Sequence, residues 1–311
     1  MSGADFSPRG TSVPHRAGFV SILGRPNAGK STLLNALLGA KLAIVAPKPQ
    51  TTRTTIQGVL NLPDAQGVFV DTPGIHKSDS LINRRMMDTI RAALEDRDLL
   101  LYLADATLQP GPDDERAISM VKKSEAPVFL VLTKIDRVPD KRDLLVRIEQ
   151  YKKIHEFAEY IPVSAPNGNG LDDLKRSIVA RLPEGDPMFP PDYLTDQPER
   201  YLVAELIREK ILRLTQQEVP HSVAVLIEKW EETPNVTRIF ATVYVERAGQ
   251  KAIIIGRGGS VLKKIGTAAR IEAEQSLDRR IYLELFVKVR ENWREDPAFL
   301  NEIDWRSMAG L

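Results

Sequence analysis

Gly24-Arg25-Pro26-Asn27-Ala28-Gly29-Lys30-Ser31 is the stretch that decides the fold. It fits the pattern G-x-x-x-x-G-K-S, in which a glycine-rich turn joins a strand to a helix. The flanks agree. The apolar run 19–23 precedes it, and Leu33, Leu34 and Leu37 follow at helical spacing across 30–38. Gly24 and Gly29 let the backbone turn tightly, so successive amides can face phosphate oxygens. The helix that follows adds the positive end of its dipole. Lys30 is placed to reach β and γ phosphates, and the Ser31 hydroxyl to ligate Mg2+. Asn27, Ala28 and Thr32 complete the phosphate-facing turn.

Outward from this loop, short apolar runs alternate with amphipathic segments. Strands are expected at 19–23, 68–70, 99–104, 128–132 and 160–163, and helices near 30–38, 81–94, 113–122, 142–157 and 171–181. Such alternation predicts an α/β domain, with a mostly parallel sheet and helices on both faces. A segment near 55–60 is expected to pair antiparallel with 66–70, since only a short turn with Pro63 and Asp64 parts them.

Three further motifs sit at the C-terminal ends of predicted strands, where open α/β sheets bind ligands. Asp71-Thr72-Pro73-Gly74 places a carboxylate for Mg2+ and a Gly74 amide that can sense a γ phosphate. Thr133-Lys134-Ile135-Asp136 places a carboxylate that can accept from the N1–H and 2-amino group of guanine. Adenine has no N1 donor and would leave that carboxylate unpaired, so the motif selects GTP and GDP over adenine nucleotides. The Lys134 stem can cover the base and the glycine loop. Ser164-Ala165 offers an amide to guanine O6. Between loop and Asp71, the segment Pro47-Lys48-Pro49-Gln50-Thr51-Thr52-Arg53 must supply a threonine to Mg2+ and the γ phosphate. Spacing leaves Thr51, Thr52 and Thr54 open.

The pattern stops at Leu182. Pro183, Pro187, Pro190, Pro191 and Pro198 crowd the next stretch, a density that neither a helix nor a central strand tolerates, and it reads as a semi-rigid linker. Beyond it the order is α-β-β-α-α-β: helix 201–214, strands 221–231 and 236–247, helices 250–255 and 260–276, and strand 280–290, with a last short helix over 297–305. Gly256-Arg257-Gly258-Gly259 joins the two adjacent helices. G-x-x-G in this position lets the chain approach the backbone of single-stranded RNA. Ile254 and Ile255 precede it, and Lys251, Arg257, Lys263, Lys264 and Arg270 surround it as candidate phosphate contacts, with Lys288 and Arg290 as an extension. Lys263 and Lys264 also read as an ordinary solvated face, and Trp230, Trp293 and Trp305 as packing residues rather than base platforms.

Bulk composition narrows the field. Length suits two domains, and 42% hydrophobic residues are ample for buried cores. Lys and Arg number 43 against 42 Asp and Glu, so no overall basic field exists and any nucleic-acid surface must be local. Without cysteine there are neither disulfides nor thiolate metal sites, which suits a reducing cytoplasm. His15, His76, His155 and His221 show no metal-ligand spacing. Residues 1–16 read as a flexible tail, neither signal peptide nor anchor, and no apolar run reaches the ~20 residues of a membrane span.

The nucleotide motifs resemble those of the translation-factor-related small GTPases. Thr133 departs from that pattern, which usually has Asn there. Ile75 follows Gly74 where Ras-like enzymes keep a water-orienting glutamine, so hydrolysis is expected to be slow or to use another group. Asn27 resembles the loop asparagine of cation-dependent GTPases. That implies K+ near the phosphates, helped by carbonyls near Ala46 and Lys48. The order of domains, with Gln50-Thr51-Thr52-Arg53, Asp71-Thr72-Pro73-Gly74-Ile75-His76, the run 189–196 and Glu246-Arg247-Ala248-Gly249-Gln250-Lys251, resembles the bacterial Era GTPases across 17–305. The resemblance implies a tail 1–16, a P-loop GTPase domain 17–182, a linker 183–200 and a type II KH domain 201–311. It makes Thr52 the Mg2+ ligand of the mobile loop, beside Ser31 and Asp71. It implies that the KH domain binds the 3′ tail of small-subunit ribosomal RNA, that RNA stimulates GTP hydrolysis, and that the protein acts in late assembly of the small subunit. It further implies a cytoplasmic protein with peripheral association at the inner membrane; oligomeric state is left open, with a monomer as the default expectation. The competing reading is an RNA-binding scaffold whose nucleotide is structural and slowly turned over; ATP-driven RNA remodelling conflicts with Asp136.

Overall fold

The computed structural model describes residues 14–48, 50–75, 80–215, 219 and 222–304. Pro49, His76, His221 and Trp305 lie outside the described residues, as does most of the expected tail. Arg16, assigned to that tail, instead opens the first strand, and its guanidinium donates to Leu182 O at 2.7 Å.

The N-terminal half is built on six strands: β1 (Arg16–Gly24), β2 (Ile56–Leu62), β3 (Ala65–Asp71), β4 (Leu99–Asp105), β5 (Val128–Thr133) and β6 (Glu159–Pro162). Their order is β2-β3-β1-β4-β5-β6. Only β2 runs antiparallel, paired to β3 through the tight turn at Pro63. β3, β4 and β5 are buried along their whole length because helices cover both faces, and this explains the near-continuous apolar runs of β4 and β5. One core lies under α1 (Lys30–Leu38) and α5 (Leu171–Arg181) and is filled by Leu33, Leu37, Phe129 and Ile178. The other lies under α2 (Leu81–Ala92), α3 (Pro112–Val121) and α4 (Arg142–Lys152) and holds Ile90, Tyr102, Ile118 and Tyr151. α4 is shorter than its expected span. The chain turns after Lys152, with Ile154 N–H donating to Tyr151 O at 2.9 Å, to bring Phe157 into the core.

The proline-rich stretch is laid along the edge strand. Val59 N–H donates to Leu194 O at 2.8 Å, and the Thr195 hydroxyl to Gln57 O at 2.6 Å. The buried Gln66 amide fastens it further, accepting from Met188 N–H (2.7 Å) and Phe189 N–H (2.9 Å) and donating to Phe189 O (2.8 Å). Phe189 stacks on Tyr193, centroids 4.7 Å apart. These residues form a strap, where composition suggested a spacer.

The C-terminal half follows as α6 (Glu199–Leu214), β7 (Ala224–Glu232), β8 (Thr237–Val245), α7 (Ala248–Ile255), α8 (Ser260–Leu277), β9 (Ile281–Val289) and α9 (Pro297–Glu302). β8 pairs antiparallel with β7 and parallel with β9. The parallel pairing needs a crossover, which α7 and α8 supply. All three long helices lie on one face of the sheet, around Ile207, Ile211, Ile239, Val243, Ile265 and Ala269.

The candidate nucleotide and RNA sites

A cavity of about 620 Å3 opens at the C-terminal ends of β1, β3 and β5, lined by the glycine loop, residues of the segment 44–52, Gly74 and Lys134; Thr133, Asp136, Ser164 and Ala165 lie outside its lining. The glycine loop forms its floor. Gly24 has φ 152°, and a side chain there would meet Leu103 O at 2.5 Å. Gly29, at φ 94°, starts α1 and aims its N-terminal amides inward. Lys30 folds back over the loop and donates to Gly24 O and Arg25 O, each at 3.2 Å. Burial holds the pKa of its ammonium below the usual lysine range, and the Asp71 carboxylate opposes that shift. A lysine so placed would exchange loop carbonyls for phosphate oxygens.

Ser31, Thr52 and Asp71 converge. The Ser31 hydroxyl donates to Asp71 Oδ2 at 2.7 Å and lies 2.9 Å from Thr52 Oγ1, which is itself 3.5 Å from Asp71 Oδ2. Asp71 Oδ1 is buried without a hydrogen-bond partner. Burial pushes the Asp71 pKa up to about 6, while Lys30, Ser31 and Thr52 act to lower it. Three convergent hard oxygens, with the second Asp71 oxygen buried beside them without a partner, suit Mg2+.

The four residues of 50–53 face four ways. The Gln50 amide donates to Asn83 of α2 at 3.0 Å. The Thr51 hydroxyl sits between the carbonyls of Lys48 (2.7 Å) and Ala46 (3.3 Å). Thr52 faces the metal cluster. Arg53 reaches the C-terminal half, donating to Val223 O at 2.7 Å. Thr54 lines a separate cleft with Arg85, Tyr201 and Glu205. The Thr72 hydroxyl is committed to Ile22 O at 2.8 Å. Gly74 reaches the cavity wall, and Pro73 lies between them. Ile75 is fully buried in the second core, so no side chain from that position meets water in the cavity.

At the base end, Thr133 Oγ1 lies within donating distance of Ala28 O (2.7 Å) and Ala104 O (3.2 Å), tying the glycine loop to β4 and β5. Lys134, at φ 59°, donates to Asn27 O (2.7 Å) and Asp105 (2.6 Å). Asp136 accepts from the Ser164 hydroxyl at 2.6 Å, and the Ser164 amide donates to Asn169 O at 2.9 Å. Ala165 follows and packs at the rim of the first core. Sequence reasoning missed Asp105. Burial would raise its pKa, but hydrogen bonds from Lys134 and Thr107 outweigh that and hold it below the usual carboxylate range. Its position at the end of β4, like Asp71 at the end of β3, was the available signal.

Sequence reasoning also missed the C-terminal contribution to this cavity. Arg213 of α6 lines it and donates to Val45 O at 2.9 Å. Glu209 accepts from Val45 N–H at 2.9 Å and pairs with Lys41 at 2.7 Å. Lys41 and Lys210 both pair with Glu272 of α8. Burial would raise the Glu209 pKa, but Lys210 and Lys41 hold it low. The signal was the charge density of α6 at 205, 208, 209, 210 and 213, too high for a helix whose other faces are core. Nearby, α2 packs Ile82 and Met86 against Trp293 and Phe299. Full burial makes Trp293 a packing residue.

On the far side, Gly256 (φ 70°), Gly258 (φ 58°) and Gly259 (φ 78°) form the turn between α7 and α8. A side chain on Gly256 would strike Val261 at 2.5 Å. A groove of about 370 Å3 opens behind the turn between α8 and β9, lined by Lys263, Gly266, Arg270 and Leu285 among others. Lys264 and Arg257 are exposed nearby, and Lys251 and Ile255 are half-buried. Ile254, expected at the RNA surface, is instead fully buried in the core, because helix α7 turns it beneath the sheet-facing side; Ile253 is the exposed member of that run. Arg270 is paired with Glu274 at 2.7 Å, and Glu284 also lines the groove. Lys288 and Arg290 pair with Glu228 and Asp296.

A glycine loop, a convergent oxygen cluster and the Thr133–Asp136 motif at the strand ends of a mostly parallel sheet, followed by a G-x-x-G turn on a three-stranded sheet, define a P-loop GTPase joined to a KH domain. Residues 19–134 match a family described as 50S ribosome-binding GTPase, and residues 218–294 match the KH domain. GTPase Era of Geobacter metallireducens is 48% identical over 294 residues, covering 94% of this chain and 98% of the relative. GTPase Era of Heliobacterium modesticaldum is 50% identical over 286 residues, covering 92% and 95%. The chain belongs to the Era GTPase family. A crystal structure of an Aquifex aeolicus Era variant bound to GDP·AlF4− superposes with a TM-score of 0.90 at 42% identity, covering 93% of this chain and 99% of that one. A crystal structure of Era with MgGDPNP and nucleotides 1506-1542 of 16S ribosomal RNA superposes at 0.91, also 42% identical, covering 94% and 99%.

Proposed function

We propose that the protein is a GTP-hydrolysing switch that binds the 3′ end of small-subunit ribosomal RNA and acts in late assembly of that subunit. The observation that carries the reading is the cluster of Ser31, Thr52 and Asp71 oxygens, 2.7 to 3.5 Å apart, beside the Lys30 loop. Bound Mg2+ would supply charge neutralisation between β and γ phosphates. Ser31 and Thr52 would hold it directly, and Asp71 directly or through water. Lys30 and the amides of Asn27, Ala28, Gly29 and Thr32 would hold the phosphates, and the Gly74 amide would hold the γ oxygen. Asp136, Lys134, Thr133, Ser164 and Ala165 would form the guanine pocket. Relatives crystallised with GDP·AlF4−, with MgGDPNP and with 16S ribosomal RNA support these ligands.

The RNA would lie in the groove between α8 and β9, with its backbone at 256–259 and its phosphates near Lys251, Arg257, Lys263, Lys264 and Arg270. Ile75 is buried, so intrinsic hydrolysis should be slow. K+ held by Asn27 with the Ala46 and Lys48 carbonyls would replace the missing side chain. The support is that all three residues line the same cavity. The site of action would be the cytoplasm, as a monomer, with any membrane contact peripheral; among the described residues no helix is long and apolar enough to cross a membrane. The test is GTP turnover in K+ and in Na+ buffer, with and without a short RNA copying the small-subunit 3′ tail. Stimulation by that RNA and not by a scrambled one supports the whole reading. Equal rates in K+ and Na+ remove the K+ site alone.

A further inference from the structure

Thr52 is gripped from both sides by the C-terminal domain. Before it, the Thr51 carbonyl accepts from Arg208 of α6, which also reaches Gln50 O at 3.4 Å. After it, Arg53 donates to Val223 O at 2.7 Å and lies over the Trp293 ring, 5.5 Å from its centroid. These anchors are themselves fixed. Arg208 is 2% exposed and paired with Glu205 at 2.5 Å. Trp293 is fully buried, its indole N–H donates to Ser222 O at 3.1 Å, and Phe299 packs edge-on against it. On the GTPase side, Gln50 is tied to Asn83 of α2 and Thr51 to the Lys48 carbonyl, but neither bond holds the backbone on both sides of Thr52. Thr52 there touches only the two oxygen partners that Mg2+ would take over.

We infer that Arg53 and Arg208 are positioning residues for GTP hydrolysis: the docked KH domain acts in cis to hold the loop of Thr52 closed over the nucleotide. The inference rests on the role proposed above for Thr52. A free loop would lose several residues' worth of backbone freedom on closing over Mg2+ and the γ phosphate. Here that ordering is done beforehand by contacts with the C-terminal half, 157 to 170 residues away along the chain. GDP needs neither Thr52 nor a closed loop, so its affinity is independent of the clamp.

The variants are Arg53→Met and Arg208→Met, with Arg53→Lys as the conservative partner and Thr52→Ala as the reference. Methionine keeps the apolar stem; Arg208→Met also leaves Glu205 without its partner, so the thermal midpoint of each variant decides whether its fold is intact. Single-turnover hydrolysis, Mg2+ titration, GDP affinity and thermal midpoint are measured on the full-length protein. Displacing a reacting geometry by about 1 Å lowers rates by up to about 100-fold. We expect both methionine variants to lower kcat by about tenfold to 100-fold and to need more Mg2+ for half-maximal rate. GDP affinity should be unchanged, and Arg53→Lys should recover much of the rate. An unchanged kcat overturns the inference. So does a kcat that falls only together with GDP affinity and thermal midpoint, with lysine no better than methionine. If Thr52→Ala itself leaves the rate intact, the role of Thr52 fails and this inference fails with it.

Discussion

Gly74→Ala isolates the γ-phosphate sensor from the rest of the nucleotide site. A Cβ on Gly74 would lie 2.9 Å from Pro26 Cα and 3.1 Å from both Pro26 N and Cγ. Carbon atoms rest at about 3.5 to 4.0 Å, so the two segments must part by roughly 0.5 to 1 Å. Pro26 cannot yield. Its ring fixes φ, Arg25 before it is held by Asp114 at 3.2 Å, and the Asn27 carbonyl after it is held by Lys134 at 2.7 Å. The end of β3 must move instead and carry the Gly74 amide outward. An N–H···O bond stretched from about 2.9 Å by that amount is lost. A bond to a charged acceptor contributes about 1.5 to 3 kcal/mol, so preference for a GTP analogue over GDP should fall by about tenfold to 150-fold. GDP has no γ phosphate and its affinity should hold within about twofold. Fluorescent-nucleotide titrations of both ligands on wild type and variant measure the ratio. An unchanged ratio, or equal loss for both nucleotides, would refute the reasoning.

Asp136→Asn keeps an oxygen for the Ser164 hydroxyl but replaces a guanine acceptor with a donor. GTP affinity should fall by about 100-fold or more, and xanthosine triphosphate, which presents an acceptor at C2, should become the preferred competitor. Gly258→Asp meets no atom within 4 Å, and its φ of 58° strains an Asp by only about 1 kcal/mol, so folding and GTP affinity should be kept. RNA affinity in filter binding should fall by about tenfold, because the new carboxylate faces phosphates. Gln66→Leu strips the partners of Met188 N–H, Phe189 N–H and Phe189 O. Each lost partner costs about 1 to 3 kcal/mol if it stays buried. Amide exchange of Met188 and Phe189 should therefore speed up well before global unfolding; unaltered protection would show that the strap does not depend on Gln66.

The P-loop was legible because local chemistry dictates it. A strand, a glycine turn and a helix in that order bring backbone amides to one point, and the apolar runs of β4 and β5 mark a sheet covered on both faces. Choosing among three threonines lay beyond spacing, because Thr51 turns to the nearby Lys48 carbonyl and Thr54 to a separate cleft, and only the folded chain shows Thr52 facing Ser31 and Asp71. Ile254 was misread because three consecutive isoleucines at the start of a turn do not reveal which one a helix points inward. The domain clamp was invisible for a different reason. Lys41 meets Glu209 and Glu272 at separations of 168 and 231 residues, and each reads as an ordinary surface charge until the other two are beside it.

The strap over β2 has a consequence for the life of the chain outside the folded state. An edge strand with free N–H and C=O groups is a template on which a second molecule can add, and β2 is one of the two edges of the larger sheet, β6 being the other. At β2 that template is taken by Leu194 and Thr195. Pro190 and Pro191, lacking N–H, cannot pass the ladder on to a further strand. The segment that joins the two domains therefore also guards this edge of the sheet against self-association. Variants that loosen it should first betray themselves as aggregation at high concentration, while the nucleotide site still works.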